Sequence, residues 1–304
     1  MKKADKDFLF NLLETPSPTG FEMPGQNVWA KYLKKTATTV ECDAYGSTWA
    51  TLEGKSKKVV MLEAHADEIG YIIKHIDDKG FLRIDRVGGS DAATARGRRV
   101  HILGDKGAVS GIIGNTAIHL RRDSLANEKS PAVHNLWVDV GASDAKEVAD
   151  MGLRVGHPMV NQDGPAELAH KRLISRALDN RIGGYIIAQV MKRIAASGKK
   201  PAVTLVCLNA IQEEIGGHGA MMATYRLKPD MCICLDVTHA TDTPGIDPAK
   251  FGLVKLGKGP TLTHGTCNHP LVVQRLLDCA VDLRIPIQHE SSSRYSGTDT
   301  DVIF

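Results

Sequence analysis

Apolar residues run almost unbroken through "KKVVMLEAH" (Val59 to Leu62) and "AVTLVCLNAI" (Val203 to Ile211). Such runs suit strands of a sheet that is covered on both faces. "TTVECD" and "WATLEG" read as two further short strands. Elsewhere the period is helical. Val28, Trp29, Tyr32 and Leu33 recur at helical spacing behind the Pro/Gly-rich stretch "TPSPTGFEMPG", which predicts a structured turn. "RIGGYIIAQVMKRIAASG", "HGAMMATYRL" and "HPLVVQRLLDCAVDLR" predict helices, and "MCICLD" predicts a strand between the last two. Strands alternating with helices in this way are the mark of an α/β domain.

From about residue 68 to about 168 the texture changes. Short β-branched runs ("YIIKHI", "FLRIDRV", "RRVHIL", "AVSGIIG", "LWVDVG") are separated by turn signals such as Asp78-Lys79-Gly80 and Asp105-Lys106-Gly107. Closely spaced strands without a long helix predict a small barrel or sandwich. The simplest organisation is one α/β domain formed by residues 1–67 and 168–304 and split by an inserted β domain over 68–167.

Composition narrows the function classes. Lys+Arg 38 against Asp+Glu 35 leaves a net charge of +3, too balanced to point to nucleic acid or a membrane surface. Arg96-Gly97-Arg98-Arg99 is the local exception and reads as a solvated loop. The N-terminal segment lacks the pattern of a secretory signal, and no run of about 18 apolar residues spans a membrane. The cysteines sit mostly in apolar runs, where a reduced thiol acts as a small hydrophobe, so the cytoplasm is the expected compartment. The C-x-C of Cys232 and Cys234 reads as strand core.

Ligands of open α/β sheets gather outside the carboxyl ends of the strands. Here those ends carry chemistry. One strand runs into His65-Ala66-Asp67, the second into Gln212-Glu213-Glu214, the third into Asp236, and Asp179 stands just ahead of a predicted helix. Taken singly, Asp179 reads as an N-cap, His65 as a hydrogen-bonded core histidine, and the paired glutamates as a solvated face. Together they form one imidazole and several carboxylates, a donor set suited to zinc, cobalt or manganese. His65 and Asp67 share a face of an extended backbone, so Asp67 can orient the imidazole. Glu213 and Glu214 point different ways, which lets one bind metal while the other faces substrate. The glycines after them allow a tight turn.

"AHADEIGYII", "ALDNRIGG", "QEEIGGHGA", "CLDVTHATDTPG" and "SGTDTDVI" resemble, in order, the successive motifs of the M42 metallo-aminopeptidases, which include the TET aminopeptidases and relatives once labelled endoglucanases. The resemblance implies a three-layer α/β/α catalytic domain of zinc-exopeptidase type with an inserted β-barrel-like domain for assembly. It also implies two divalent ions per chain, zinc or cobalt, peptide substrates with a free N-terminus, and self-association into dimers and dodecamers. Carried over by motif, His65 and Asp236 bind one metal, Asp179 bridges, Glu214 binds the second, Glu213 is the general base, and Asp67 supports His65.

The family continues past the "GTD" motif into a further strand and a histidine that completes the second metal site. No residue up to Phe304 matches that histidine, and His264, His269 and His289 lie in other motifs. Two alternatives therefore stand beside the aminopeptidase: a relative without catalysis that serves as an assembly or binding protein, and a glycoside hydrolase.

Overall fold

A computed structural model describes residues 1–121 and 130–303. Phe304, after which the resemblance expects a further strand, lies outside them.

The two apolar runs pair in parallel. Val59–His65 and Thr204–Ala210 lie side by side with His65 opposite Ala210, and Met231–Cys234 pairs in parallel on the other side of Val59–His65. Thr48–Leu52 and Thr39–Cys42 extend the sheet as antiparallel strands beyond Thr204–Ala210. The three parallel strands thus end together, and their terminal residues are brought to one rim.

Both faces of this sheet are covered, as unbroken apolar strands require. On one face the helices Lys3–Glu14, Met23–Leu33 and Leu178–Ala196 bury Phe8, Leu12, Trp29, Leu33, Ile187 and Met191 against Ala50, Ala64 and Cys207. Trp29 is fully buried, and its indole N–H donates to the carbonyl of Gly184 at 2.9 Å. On the other face the helix His218–Leu227 packs Ala220 and Ala223 onto Trp49, Met61, Val206 and Leu208. The helix Lys3–Glu14 adds to the predicted elements: Phe8, Leu9, Leu12 and Leu13 stand at helical spacing, but the charged first half, Lys3, Asp5, Lys6 and Asp7, masks the pattern. A parallel pair, Thr261–Gly265 with Gln288–Ser292, joined by the helix Pro270–Asp282, stands apart from the five-stranded sheet.

Residues Gly70 to Asn161 supply a closed six-stranded barrel in the order Gly70–Ile76, Leu82–Val87, Trp137–Asp139, Gly107–Gly114, Arg99–Gly104, Pro158–Asn161. Its interior is filled by alternate strand residues, among them Tyr71, Ile73, Leu82, Ile84, Val100, Ile102, Val138 and Met159. Closure leaves the barrel no free edge. Of the arginine cluster, Arg96, Gly97 and Arg98 lie in a turn and Arg98 and Arg99 are exposed, as expected of a solvated loop; Arg99 in addition opens a barrel strand, and Arg98 pairs at the surface with Asp163 at 2.9 Å.

Candidate metal and catalytic site

His65 closes its strand at 2% exposure. Its Nε2 atom lies 3.0 Å from Asp179 Oδ1, 3.6 Å from Asp236 Oδ1 and 3.8 Å from Glu213 Oε2. Asp236 follows the strand Met231–Cys234, so the parallel register with Val59–His65 carries it to the same rim. Asp179 arrives from the start of the helix Leu178–Ala196, where Asp179 and Asn180 depart from helical φ/ψ and are joined by a cis peptide. Asp179 does not cap that helix; its carboxylate points at the imidazole. Asn180 holds the neighbouring loop instead, donating from Nδ2 to the carbonyl of Leu235 at 2.7 Å and accepting from the Gly183 N–H at 3.1 Å.

Glu213 and Glu214 stand in a single 3₁₀ turn, Glu213–Ile215, entered through Gln212 in the left-handed region (φ 59°) and left through Gly216 and Gly217 at φ 127° and 70°. A Cβ at Gly217 would come within 2.9 Å of Asp299 Oδ1, so glycine is what lets that acid approach. Glu214 meets a different neighbour. Gly88, in the barrel turn after Leu82–Val87, lies so close that a Cβ there would meet Glu214 Cβ at 3.0 Å and Oε2 at 3.1 Å.

Asp67 is completely buried. It faces His65 Nδ1 across 3.4 Å, a separation at which that nitrogen has no true hydrogen bond. Its firm partners lie elsewhere. Oδ1 accepts the backbone N–H of Glu213 at 3.1 Å, while Oδ2 accepts the N–H of Glu214 at 3.2 Å and the hydroxyl of Thr19 at 2.8 Å. Asp67 is therefore a clamp between the strand end, the glutamate turn and the loop before Met23.

The electrostatics follow from burial and crowding. Desolvation by itself would lower the His65 pKa, but the surrounding carboxylates of Asp179, Asp236 and Asp67 hold it well above the ordinary value. Burial raises Glu213 to about 7, assisted by Asp299, Asp236 and Asp67 and opposed by His65. Burial and then Asp179 raise Glu214 to about 8. Desolvation would also raise Asp67, yet His65, Thr19 and the Glu213 N–H bring it below the usual value. Behind the rim, Glu63 and Asp299 are both 1% exposed; burial and mutual repulsion lift Asp299 to about 10, and burial lifts Glu63 to about 7. Neither Glu63 nor Asp299 was assigned a role from the sequence. Glu63 breaks a buried apolar strand, which was the available signal.

A divalent cation fits this donor set. Ligand atoms of His65, Asp179 and Asp236, and separately of His65, Glu213 and Glu214, lie within 4.8 Å of one another. Carboxylates crowded tightly enough to raise one another's pKa are relieved when a cation sits among them. All six residues singled out from the sequence, His65, Asp67, Asp179, Glu213, Glu214 and Asp236, meet here.

Known proteins share this arrangement of fold and sequence. The family model described as M42 glutamyl aminopeptidase matches residues 46–304. The chain is 32% identical over 303 residues to the lysyl aminopeptidase of Pyrococcus furiosus, covering 99% of this chain and 85% of that one. Among solved structures, a TET aminopeptidase from a marine-sediment Thaumarchaeota archaeon superposes with a TM-score of 0.93 at 27% identity, covering 99% of this chain and 84% of the other. An aminopeptidase of the archaeon Desulfurococcus kamchatkensis gives 0.90 at 31%, with the same coverage.

Proposed function

The chain belongs to the M42 peptidase family, and from that membership we propose that it is a metal-dependent aminopeptidase, cleaving peptides one residue at a time from a free N-terminus. The observation that carries this reading is the convergence of His65, Asp179, Glu213 and Asp236 within 3.8 Å of one imidazole nitrogen. In this assignment His65, Asp236, Asp179 and Glu214 would hold two divalent ions, zinc or cobalt, His65 and Asp236 serving one, Glu214 the other and Asp179 both. Bound there, such ions supply Lewis acidity to a water and to a scissile carbonyl.

The protein groups divide the remaining work. Glu213, whose carboxylate reaches to 3.8 Å from His65 Nε2 at the rim, is placed to take a proton from the attacking water and return it to the leaving amine. The carboxylates of the rim give a protonated α-amine an anionic seat, which favours an N-terminal residue over an internal one. Asp67 keeps the backbone of Glu213 and Glu214 in place.

The β unit over 68–167 is proposed to serve self-association, in dimers and larger shells. Its support is the exposed apolar side chains Ile112, Ile118 and Leu120, which are 46%, 66% and 72% exposed. A cytoplasmic setting is supported by six free cysteines. Among the described residues no helix is long and apolar enough to cross a membrane.

A glycosidase uses two carboxyls flanking the bond and calls for no metal-type set of histidine and aspartates; the gathering of Asp179 and Asp236 around His65 favours the peptidase reading over it. A catalytically silent binding protein is separated from the enzyme by assay. Purified protein given cobalt or zinc is expected to release aniline from aminoacyl anilides and to lose that activity with a chelator. Failure to hydrolyse any such substrate, with cation bound, would overturn the reading.

A further inference from the structure

We infer that Thr19 is a positioning residue for the cation-binding acids, acting through Asp67. Thr19 lies 5% exposed in the turn that precedes Met23, and its hydroxyl donates to Asp67 Oδ2 at 2.8 Å. The other acceptor in reach, the carbonyl of Glu68, is 3.5 Å away, so the hydroxyl directs its proton to the carboxylate. Asp67 uses that same oxygen for the N–H of Glu214 and its second oxygen for the N–H of Glu213. Thr19 thus fixes the rotation of one carboxylate, and the carboxylate fixes two consecutive peptide groups whose side chains line the site.

The turn itself does not depend on this hydroxyl. The Ser17 N–H donates to Glu68 Oε1 at 2.9 Å, the Thr19 N–H to the Glu68 carbonyl at 3.2 Å, and the Gly25 N–H to Ser17 Oγ at 2.9 Å. Glu68 is in turn held by Arg176 at 2.9 Å and Arg181 at 3.3 Å. A hydroxyl spared from building its own loop, and aimed at a fully buried acid, has its effect at the site. Removing a group that orients metal-binding residues weakens metal affinity by roughly ten- to a hundredfold; Thr19 stands one contact further out, so its loss falls at the lower end.

The inference rests on the aminopeptidase reading for its kinetic readout only, and the cation readout stands by itself. Metal-stripped wild type, Thr19→Val, Thr19→Ala and Thr19→Ser are titrated with Co²⁺ by calorimetry, their metal-free melting curves are recorded, and kcat and KM are measured on an aminoacyl anilide. Thr19→Val and Thr19→Ala are expected to bind Co²⁺ roughly tenfold more weakly, the lower end of the range for direct partners of metal ligands, and to lose kcat with KM little changed. Thr19→Ser is expected to match the wild type in every readout. Thr19→Ala adds no bulk, so a misfit of valine alone does not decide the result. Parental Co²⁺ affinity in Thr19→Ala, or equal loss in Thr19→Ser, overturns the inference. A wild type that binds Co²⁺ yet cleaves nothing refutes the enzyme reading while the affinities still judge Thr19; a wild type that binds no Co²⁺ refutes both.

Discussion

His65 Nε2 and Asp179 Oδ1 sit 3.0 Å apart although they belong to a strand end and to the opening of a distant helix. Asp236 and Glu213 join the same nitrogen from two other strand ends. Chelation tests what this contact is for. Removing divalent cations is expected to abolish hydrolysis, and restoring Co²⁺ or Zn²⁺ to recover it. It should also lower the melting temperature, since a ligand at about 100 times its Kd stabilises by about 2.7 kcal/mol. Calorimetric melting with and without chelator is the check, and an unchanged melting temperature would argue against bound cations.

Glu213→Gln keeps the size of the side chain and removes its basicity. Turnover is expected to fall by about 10²–10⁴, while metal stoichiometry by elemental analysis stays at the parental level. A variant that still works at near the parental rate would assign the base elsewhere.

Glu22 is 3% exposed, and its carboxylate accepts the Gly20 N–H at 2.7 Å. Burial, aided by the charge of Asp67, raises it to about 7 from 4.5. A carboxyl raised on folding binds more protons in the native state than in the unfolded one. Its contribution is therefore complete below pH 4.5 and is lost as pH rises through about 7. Glu22→Gln is expected to flatten that window and to be more stable than the parent at pH 8 by on the order of 1–3 kcal/mol. Urea denaturation at pH 5 and pH 8 reads the difference directly.

Gly88 belongs to the barrel turn yet touches Glu214. Alanine there must adopt φ 64° and place a Cβ 2.9 Å from Ile69 Cγ2 and 3.0 Å from Glu214 Cβ. The left-handed backbone alone costs about 1–2 kcal/mol. Gly88→Ala is expected to weaken Co²⁺ binding as well as stability. Gly89→Ala, where a Cβ meets nothing within 4 Å, is the control, and equal Co²⁺ affinity in the two variants would detach the barrel turn from the site.

Much of this was already written along the chain. Buried strands announce themselves as unbroken apolar runs, so the lines "KKVVMLEAH", "AVTLVCLNAI" and "MCICLD" determined a covered parallel sheet, and the polar residues ending them marked the rim at which the candidate site gathers. The short, turn-punctuated strands after residue 68 likewise determined a separate β unit, a barrel or a sandwich, and strand pairing decided for the closed barrel. These are local signals, set by the period of side chains along a strand or helix. Tertiary structure decided the rest. Which strands adjoin, and that His65 stands opposite Ala210, follows from register between segments far apart in the chain. That Asp67 clamps the Glu213 and Glu214 backbone more firmly than it holds His65, that Thr19 reaches it, and that Gly88 presses on Glu214 all arise from packing across elements. Distances of a few ångströms between remote residues leave no periodicity in sequence, because they are fixed by how whole elements close on one another.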